Sequence, residues 1–197
     1  QDIIERMKIA ANAGVVAFTI DLDSAGRAAR ATKGQTVEPK TPEQLRELVK
    51  ASPLPLFFKG ILTTDEALLC LNAGAAGIVV SNHGGRVLAD EPGTAEVLPA
   101  IADAIHGRCM ILVDGCVKRG TDVEKYIALG ADACLAGRHF VRGAHGALAD
   151  GVELFANTIR NELAVAMTLT GAAKVKDINR KMIRMTTPPP LAFGVPA

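Results

Sequence analysis

Five short runs of apolar, mostly β-branched residues alternate with segments of helical pattern, and this alternation constrains the fold more than any other feature. The runs occupy residues 15–22, 56–59, 77–81, 110–114 and 133–136. Alternating strands and helices are typical of a parallel sheet. Because the runs are apolar nearly throughout, they predict strands that helices cover on both faces.

The segments between the runs carry the start signals of helices. Thr41 precedes a proline, which combines a good N-cap with a residue suited to the first helical position. Thr63, Thr94 and Thr121 are placed to open the later helices. Apolar residues three to four apart predict a long amphipathic helix over residues 151–170.

Repeated strand and helix units of this kind predict a (β/α)8 barrel of the TIM type, which is α/β in class and has about 250 residues. The 197 residues contain only five strand candidates. Five strands alone would leave sheet edges and an apolar interior uncovered, so we expect the first three strands to precede this sequence. The prediction is a partial barrel over residues 1–173, the C-terminal part of the whole, with a C-terminal extension over 174–197.

Composition excludes several classes of function. The net charge is +1, and the chain has six Phe, one Tyr and no Trp, so it has neither the basic excess nor the aromatic rings that nucleic acid binding requires. No apolar run reaches the roughly 18 residues that span a bilayer, and no signal peptide is evident, which predicts a cytoplasmic protein. The four cysteines form no Cys-x-x-Cys pair and favour buried, reduced thiols, and no metal site is predicted.

Polar residues follow the carboxyl ends of the predicted strands, where barrels place their functional groups. Two of these segments, residues 115–120 and Gly137, are glycine loops that carry Lys118 and Arg138. A barrel binds phosphate in its last two loops, with backbone amides and a helix N-terminus facing the anion. The glycines alone would also suit tight turns, but the two basic side chains favour a phosphate site.

The other strand ends carry groups suited to acid–base chemistry. Lys59 emerges from an apolar strand, where an unpaired ammonium would be costly, so we expect an anionic or electron-rich partner beside it. His83 is followed by two glycines and Arg86, so the imidazole can act as a base while the guanidinium binds a carboxylate. Asp21, at the end of another strand, is a candidate to orient that imidazole.

At these residues the chain resembles the FMN-dependent family that oxidises 2-hydroxy acids, which includes glycolate oxidase, lactate oxidase and flavocytochrome b2. The most specific motif is Ser-Asn-His-Gly-Gly-Arg at residues 81–86, and the resemblance extends over about residues 14–177. Residues 112–120 and 129–138 resemble the flavin phosphate loops of the family, and residues 58–60 its lysine strand. The short connection after residue 21 resembles a compact bacterial branch of the family.

The resemblance implies FMN as cofactor, a small L-2-hydroxy acid as substrate, and a role for each site residue. It implies that His83 takes the hydroxyl proton, that Asp21 stabilises the imidazolium, and that Arg86 holds the carboxylate. It implies that Lys59 lies near flavin N1. The remaining cofactor-binding residues it implies are Thr19 and Ser81 at the isoalloxazine and, at the ribityl chain and phosphate, Asp114, Gly115, Cys116, Lys118, Gly137 and Arg138.

Some positions depart from the family pattern. Ala28 stands where a second carboxylate-binding arginine is usual, with Arg27 beside it. Ala89 replaces an aspartate, Cys116 replaces a glycine and Lys118 replaces an arginine. These departures affect the hydroxy acid assignment more than the flavin assignment.

Two alternatives to a hydroxy acid oxidase or dehydrogenase follow from the same residues. One is a different FMN barrel, such as an isomerase of an isoprenoid diphosphate, and the other is a flavin- or phosphate-binding fragment without turnover. We expect the isolated 197 residues to be inactive, and to form a homo-oligomer or associate with the missing N-terminal part.

Overall fold

The computed structural model describes residues 2–23 and 38–186, in which strands and helices alternate. The strands are β1 (Phe18–Asp21), β2 (Leu56–Ile61), β3 (Gly77–Val80), β4 (Met110–Val113) and β5 (Ala133–Cys134). The helices are α1 (Asp2–Asn12), α2 (Pro42–Ala51), α3 (Thr64–Asn72), α4 (Thr94–Ile105), α5 (Gly120–Leu129) and α6 (Arg138–Thr170). Two short 3-10 turns follow, at Val175–Asp177 and Arg180–Met182.

The five strands form one parallel sheet in the order β1-β2-β3-β4-β5, as the sequence predicts. Each strand pairs with the next along the chain, which is the connectivity of a (β/α) barrel, and the sheet is a partial barrel of this type. The register pairs Asp21 with Lys59 and Val80 with Val113. The polar residues that follow the strands therefore meet at one edge of the sheet.

The core lies between the sheet and its helices. All four residues of β3 are buried, and Phe58, Ile78 and Leu98 have no exposed surface. This burial is what the continuous apolar runs predict for central strands. The strand β1 differs from β3. Its residues alternate between partly buried and exposed, and the exposed ones are Thr19 and Asp21.

The helix starts follow local capping chemistry. Thr41 and Thr63 accept hydrogen bonds from the backbone N–H of Gln44 and Glu66 at 3.3 and 3.2 Å, and both form capping boxes. Thr94 occupies the first position of α4 instead of capping it, because its hydroxyl is engaged elsewhere.

The last helix is longer than the sequence predicts. Helical backbone begins at Arg138, far before the expected start at residue 151, and continues to Thr170. The backbone leaves helical geometry at Ala147 (φ −152°) and Leu148 (φ 49°), so α6 consists of two helical parts joined at a break. Local periodicity detected only the second part, because the first is short and opens on the residues of a predicted loop.

Residues of the segment 174–186 pack against the helices α4 and α5. The Arg180 guanidinium donates hydrogen bonds to an Asp103 carboxylate oxygen at 2.9 Å and to the Leu129 carbonyl oxygen at 3.3 Å. Ile178 is buried in a small cluster with Ala128 and Ala172. Arg180 thereby caps a carbonyl oxygen at the C-terminal end of α5. The spacing of residues in the sequence does not predict this contact.

Gly120 lies at a close contact between α5 and α6. A Cβ at this position would overlap the Leu163 backbone nitrogen and lie 2.5 Å from the Ile159 carbonyl oxygen. Both obstructions are backbone atoms, so Gly120→Ala must separate the helices, and we expect it to lower the free energy of unfolding by about 3 kcal/mol. Urea unfolding would measure the loss. The control is Gly93→Ala, whose Cβ meets no atom within 4 Å, and a similar loss in both variants would contradict the packing argument.

Two thiols in the core predict how stability changes at alkaline pH. Burial raises the pKa of Cys70 and of Cys134 to about 12, from an ordinary value of 9.0. The folded protein therefore keeps protons that the unfolded chain loses, and stability present below pH 9 is lost as the pH rises toward 12. The expected slope is about 1.4 kcal/mol per pH unit for each thiol.

Urea unfolding at pH 8.5 and pH 10.5 would show this loss. Replacing Cys70 and Cys134 by alanine should make the free energy of unfolding less dependent on pH over this range. This holds even if the variant is less stable than the unaltered protein at neutral pH. An equally steep decline in the variant would assign the effect to other groups.

Within the part of the chain that the structure describes, no helix combines the length and apolar character needed to cross a bilayer.

Candidate functional site

A cavity of about 610 Å³ opens at the carboxyl ends of the strands. The residues that the sequence singled out gather around it, apart from Ser81, which is buried beneath. Those that line the cavity are Thr19, Asp21, Lys59, His83, Arg86, Asp114, Gly115, Cys116, Lys118, Gly137 and Arg138. The expected convergence of Asp21, Lys59, His83, Asp114 and Arg138 at one end of the sheet is confirmed, whereas the role of each side chain remains a prediction.

The loop after β3 holds His83 in an unusual backbone conformation. His83 has a φ of 53°, in the left-handed region that residues with a side chain rarely adopt. The Ser81 hydroxyl accepts a hydrogen bond from the His83 backbone N–H at 3.0 Å, and the Arg86 Nε donates to the His83 carbonyl oxygen at 2.9 Å. Asn82 fixes the same loop by donating to the Pro92 carbonyl oxygen at 3.3 Å. The motif therefore serves first to position the imidazole.

The carboxylate that contacts His83 is that of Asp23. The distances from His83 Nδ1 to the two Asp23 carboxylate oxygens are 3.0 and 3.2 Å, and the two side chains are 9 % and 10 % exposed. The sequence instead assigned this contact to Asp21. Asp21 lies nearby, with a carboxylate oxygen within 4.8 Å of the imidazole, but its ion pair is with Lys59.

Lys59 bridges two carboxylates. Its Nζ lies 3.1 Å from Asp21 Oδ1 and 3.7 Å from Asp114 Oδ2, and its side chain is only 15 % exposed. The expectation of an anionic partner for this lysine is therefore confirmed. Two negative charges hold one ammonium at the mouth of the cavity, where it can stabilise additional negative charge on a bound molecule.

The loop after β4 is fixed by two residues that the sequence did not single out as site residues. The Thr94 hydroxyl donates to the Asp114 carbonyl oxygen at 2.6 Å, and the Tyr126 hydroxyl donates to the Gly115 carbonyl oxygen at 2.8 Å. The Thr94 and Tyr126 hydroxyl oxygens lie 2.9 Å apart, so the two contacts are neighbours. Burial raises the pKa of Tyr126, which keeps this phenol protonated. No sequence pattern links these positions, because they lie on different helices.

Three basic side chains and a histidine also line the cavity. Lys118 and Arg138 line it, as predicted, together with Arg142 and His139 of the first turns of α6. The Arg138 Nη2 lies 3.9 Å from Cys116 Sγ, so the guanidinium reaches from α6 back to the loop after β4. Arg142 follows Arg138 by one helical turn, a spacing that would have revealed it if α6 had been predicted to begin at residue 138.

The cavity fits the two ends of FMN. The cations and the N-terminal turn of α6 suit a phosphate group. Asp114 Oδ1 is buried without a hydrogen-bond partner in the described part of the chain, and a ribityl hydroxyl is the kind of donor that would satisfy it. The positive charge of Lys59 in the cavity lining suits negative charge on a flavin ring.

The carboxylates of Asp21 and Asp23 and the His83 imidazole also lie within 4.8 Å of one another, close enough to bind one metal ion. The imidazole and the Asp23 carboxylate also contact each other directly, which accounts for their closeness without a metal ion between them. The sequence expectation of no metal site stays a prediction.

The fold and the cavity together define a partial (β/α) barrel with basic loops and a histidine at the carboxyl ends of its strands. A sequence model of the FMN-dependent dehydrogenase family matches residues 1–185. The chain therefore belongs to this FMN-dependent family.

Characterised relatives agree with this assignment. The chain is 42% identical over 154 residues to an L-lactate oxidase of Lactobacillus jensenii, covering 78% of this chain and 37% of the relative. It is 43% identical over 142 residues to a peroxisomal (S)-2-hydroxyacid oxidase of Arabidopsis thaliana, covering 72% of this chain and 38% of that protein. The chain thus spans less than two fifths of the length of these relatives.

Solved structures share the fold over most of the chain. A mandelate oxidase in complex with (S)-2-phenylpropionate matches with a TM-score of 0.81 and 34% identity, covering 90% of this chain and 57% of that one. A lactate oxidase of Pediococcus acidilactici matches with a TM-score of 0.80 and 31% identity, covering 90% and 55%.

The departures from the family pattern at Ala89 and at Ala28 differ in what the structure describes. Ala89 lies exposed in the loop that follows the histidine motif. Ala28 and Arg27 lie outside the described residues, so the position of the second arginine stays a matter of sequence alone.

Proposed function

We propose that this chain provides the acid–base and phosphate-binding part of an FMN-dependent oxidoreductase that converts a small L-2-hydroxy acid to the 2-oxo acid. The observation that carries the proposal is the shared cavity, in which His83 and Arg86 lie beside Lys59 and the cationic loops. A base and a guanidinium three residues apart match a substrate that carries a hydroxyl next to a carboxylate.

The residues divide the chemistry between them. Arg86 binds the substrate carboxylate, and the His83 imidazole accepts the proton of the hydroxyl. The Cα hydrogen leaves as a hydride with its two electrons, and the carbon–oxygen bond becomes a carbonyl. Bound FMN would supply the two-electron acceptor for this hydride. The imidazolium formed at His83 is then stabilised by the carboxylate beside it.

The cofactor would be held along the whole cavity. Thr19 and Ser81 are the residues proposed at the ring, and Lys59 near N1. The ribityl chain and phosphate would lie along the loops after β4 and β5, against the following residues: Asp114, Gly115, Cys116, Lys118, Gly137 and Arg138. Arg142 adds a cation at the phosphate end.

Arg86→Lys tests the carboxylate assignment. Arg86 is anchored through Nε to the His83 carbonyl, and a lysine at this position retains the charge but loses the planar fork that binds two oxygens. We expect the KM for the hydroxy acid to rise roughly 10- to 100-fold, equivalent to about 1.5–3 kcal/mol, with FMN affinity unchanged.

Steady-state kinetics with L-lactate, glycolate and L-mandelate would measure this change, with the exposed Arg46→Lys as control. An unaffected KM for each acid would favour an FMN barrel that does not bind a carboxylate, such as an isomerase.

The assembly and location of the protein are part of the same proposal. We propose that residues 1–173 form the barrel part and 174–197 a C-terminal extension, of which Ile178 and Arg180 contact the helices α5 and α4. We propose either a homo-oligomer or association with an N-terminal barrel part, with β1 as the edge strand that the described sheet leaves open. A cytoplasmic location remains the proposal, although two plant relatives are named as peroxisomal.

A further inference from the structure

The loop after β4 rests on two hydroxyl groups in the protein interior. The Thr94 hydroxyl donates to the Asp114 carbonyl oxygen at 2.6 Å, and the Tyr126 hydroxyl donates to the Gly115 carbonyl oxygen at 2.8 Å. Thr94 is 3 % exposed and Tyr126 is 8 % exposed, and neither lines the cavity. Asp114 and Gly115 do line it. Their two carbonyl groups therefore point from the cavity loop toward the interior.

Both hydroxyl protons are used in these two contacts. A hydroxyl has one proton to donate and a carbonyl has none, so each carbonyl oxygen takes one of the two protons. The 2.9 Å contact between the Thr94 and Tyr126 oxygens then has no proton of its own. If one hydroxyl is removed, the other cannot serve both carbonyls, and one of these buried contacts is lost.

The backbone at Gly115 is fitted to the same two hydroxyls. Gly115 has a φ of 121°, a conformation that suits glycine. A Cβ at this position would overlap Thr94 Oγ1 and lie 3.1 Å from the Tyr126 hydroxyl oxygen. The loop therefore approaches the hydroxyl pair so closely that residue 115 has to be a glycine.

The direction of the carbonyls sets the direction of the next two amide groups. The C=O and N–H bonds of a trans peptide point in opposite directions, and the described residues contain no cis peptide bond. The N–H groups of Gly115 and Cys116 therefore point away from the hydroxyl pair. Neither has an acceptor among residues 2–23 and 38–186, and both residues line the cavity. Successive N–H groups that face one side form an anion-binding concavity.

The Asp114 side chain depends on the same loop. Its Oδ2 lies 3.7 Å from Lys59 Nζ, and its Oδ1 is buried without a hydrogen-bond partner in the part of the chain described. Because Thr94 holds the Asp114 carbonyl oxygen, the backbone at this residue cannot turn without losing that contact. Thr94 thus also limits where the carboxylate can point.

We propose that Thr94 and Tyr126 are the positioning residues of the cofactor loop, which turn two carbonyls inward so that the Gly115 and Cys116 N–H groups face the FMN phosphate. The proposal rests on the proposed placement of the phosphate along this loop, and it does not depend on the hydroxy acid chemistry. Neither hydroxyl touches the cofactor, so each acts through the backbone that it holds.

Tyr126→Phe tests the proposal because it removes one hydroxyl and keeps the ring. Titration of the natural protein, freed of flavin, with FMN and with riboflavin would measure both affinities by flavin fluorescence. We expect the Kd of FMN to rise about 10-fold, the usual effect of one hydrogen bond to a charged group. Riboflavin lacks the phosphate, so its Kd should rise less than about threefold.

Thr170→Val is the matched control for the loss of a hydroxyl that contacts α5. The Thr170 hydroxyl donates to Glu124 Oε1 at 2.6 Å, which joins α6 to the helix that carries Tyr126, and Thr170 lies outside the cavity. This variant should lower stability and leave the ratio of FMN to riboflavin affinity unchanged. An equal rise in the Kd of FMN in Thr170→Val and Tyr126→Phe, or equal rises for FMN and riboflavin in Tyr126→Phe, would overturn the proposal.

Thr94 gives a second comparison. Thr94→Ser keeps the hydroxyl that holds the Asp114 carbonyl oxygen, whereas Thr94→Val keeps the shape and removes the hydroxyl. We expect Thr94→Ser to bind FMN nearly as the unaltered protein does, and Thr94→Val to bind it about 10-fold more weakly. Equal affinities in the two variants would contradict the role of this hydroxyl.

NMR of the unaltered protein decides the direction of the amide without relying on any variant that must keep its stability. Gly115–Cys116 is the one Gly-Cys pair of this sequence, so carbonyl-13C glycine and 15N cysteine labels select its amide, and Cys116→Ser confirms the signal. FMN should move this amide proton downfield relative to riboflavin. Equal shifts with the two flavins would overturn the proposal. Failure of every 2-hydroxy acid to reduce bound FMN would refute the proposed function alone, because these measurements follow binding and not turnover.

Discussion

Replacing His83 by alanine should slow substrate-driven flavin reduction by about 10²- to 10⁴-fold, the usual cost of removing a general base. The imidazole lies at the cavity wall, with Nδ1 held by Asp23, so its other nitrogen is the group placed to accept the hydroxyl proton. The cationic loops that would bind phosphate lie on other strands. FMN should therefore remain bound with its affinity nearly unchanged.

Stopped-flow mixing of the FMN-loaded variant with an L-2-hydroxy acid under anaerobic conditions would measure the rate. His145→Ala is the matched control, because His145 is exposed on α6 and does not line the cavity. An undiminished reduction rate in His83→Ala would remove His83 from the role of base.

Replacing Lys59 by methionine should lower the rate of flavin reduction by about 10²- to 10³-fold, comparable to removing one preorganised electrostatic group from an active site. Methionine keeps much of the side-chain volume but leaves Asp21 and Asp114 without the ammonium between them. Two carboxylates then face a site that must accommodate further negative charge. The loss of positive charge should also lower the reduction potential of bound FMN.

Potentiometric titration of the FMN-loaded protein checks the second effect, where 30 mV corresponds to about 1.4 kcal/mol for a two-electron couple. Lys125→Met is the control, since Lys125 is exposed on α5 and outside the cavity. An unchanged potential in Lys59→Met would show that the ammonium does not act on the flavin ring.

The sequence was sufficient to predict the sheet and the convergence of its strand ends. Continuous apolar runs such as β3 can only be strands buried on both faces when helices alternate with them, and parallel strands present their carboxyl ends at one edge. The positions of Lys59, His83 and Arg138 around one cavity follow from that topology.

The partner of His83 could not be predicted in the same way. Asp21 and Asp23 are two residues apart, so the alternation of an extended strand favours neither as the nearer one. The choice depends on contacts with β2, where Lys59 attracts Asp21 and Gly60 leaves space for Asp23. Neither contact is local in sequence.

The same reason explains the other differences. The break in α6 at Ala147 and Leu148 lies in a segment without a proline to mark it, and the sequence predicts only the helical part over residues 151–170. Thr94 and Tyr126 hold the Asp114 loop through hydrogen bonds between residues 20 and 11 positions apart. Such contacts depend on how the helices dock, which propensity and spacing do not determine.

The central claim is that this cavity holds FMN and a 2-hydroxy acid together. Anaerobic addition of L-lactate, glycolate or L-mandelate to the natural protein loaded with FMN, followed at the flavin absorbance band, tests it most directly. We predict that at least one of these acids bleaches the band and yields one equivalent of the 2-oxo acid per flavin. Bound FMN that none of the three acids bleaches would contradict the claim.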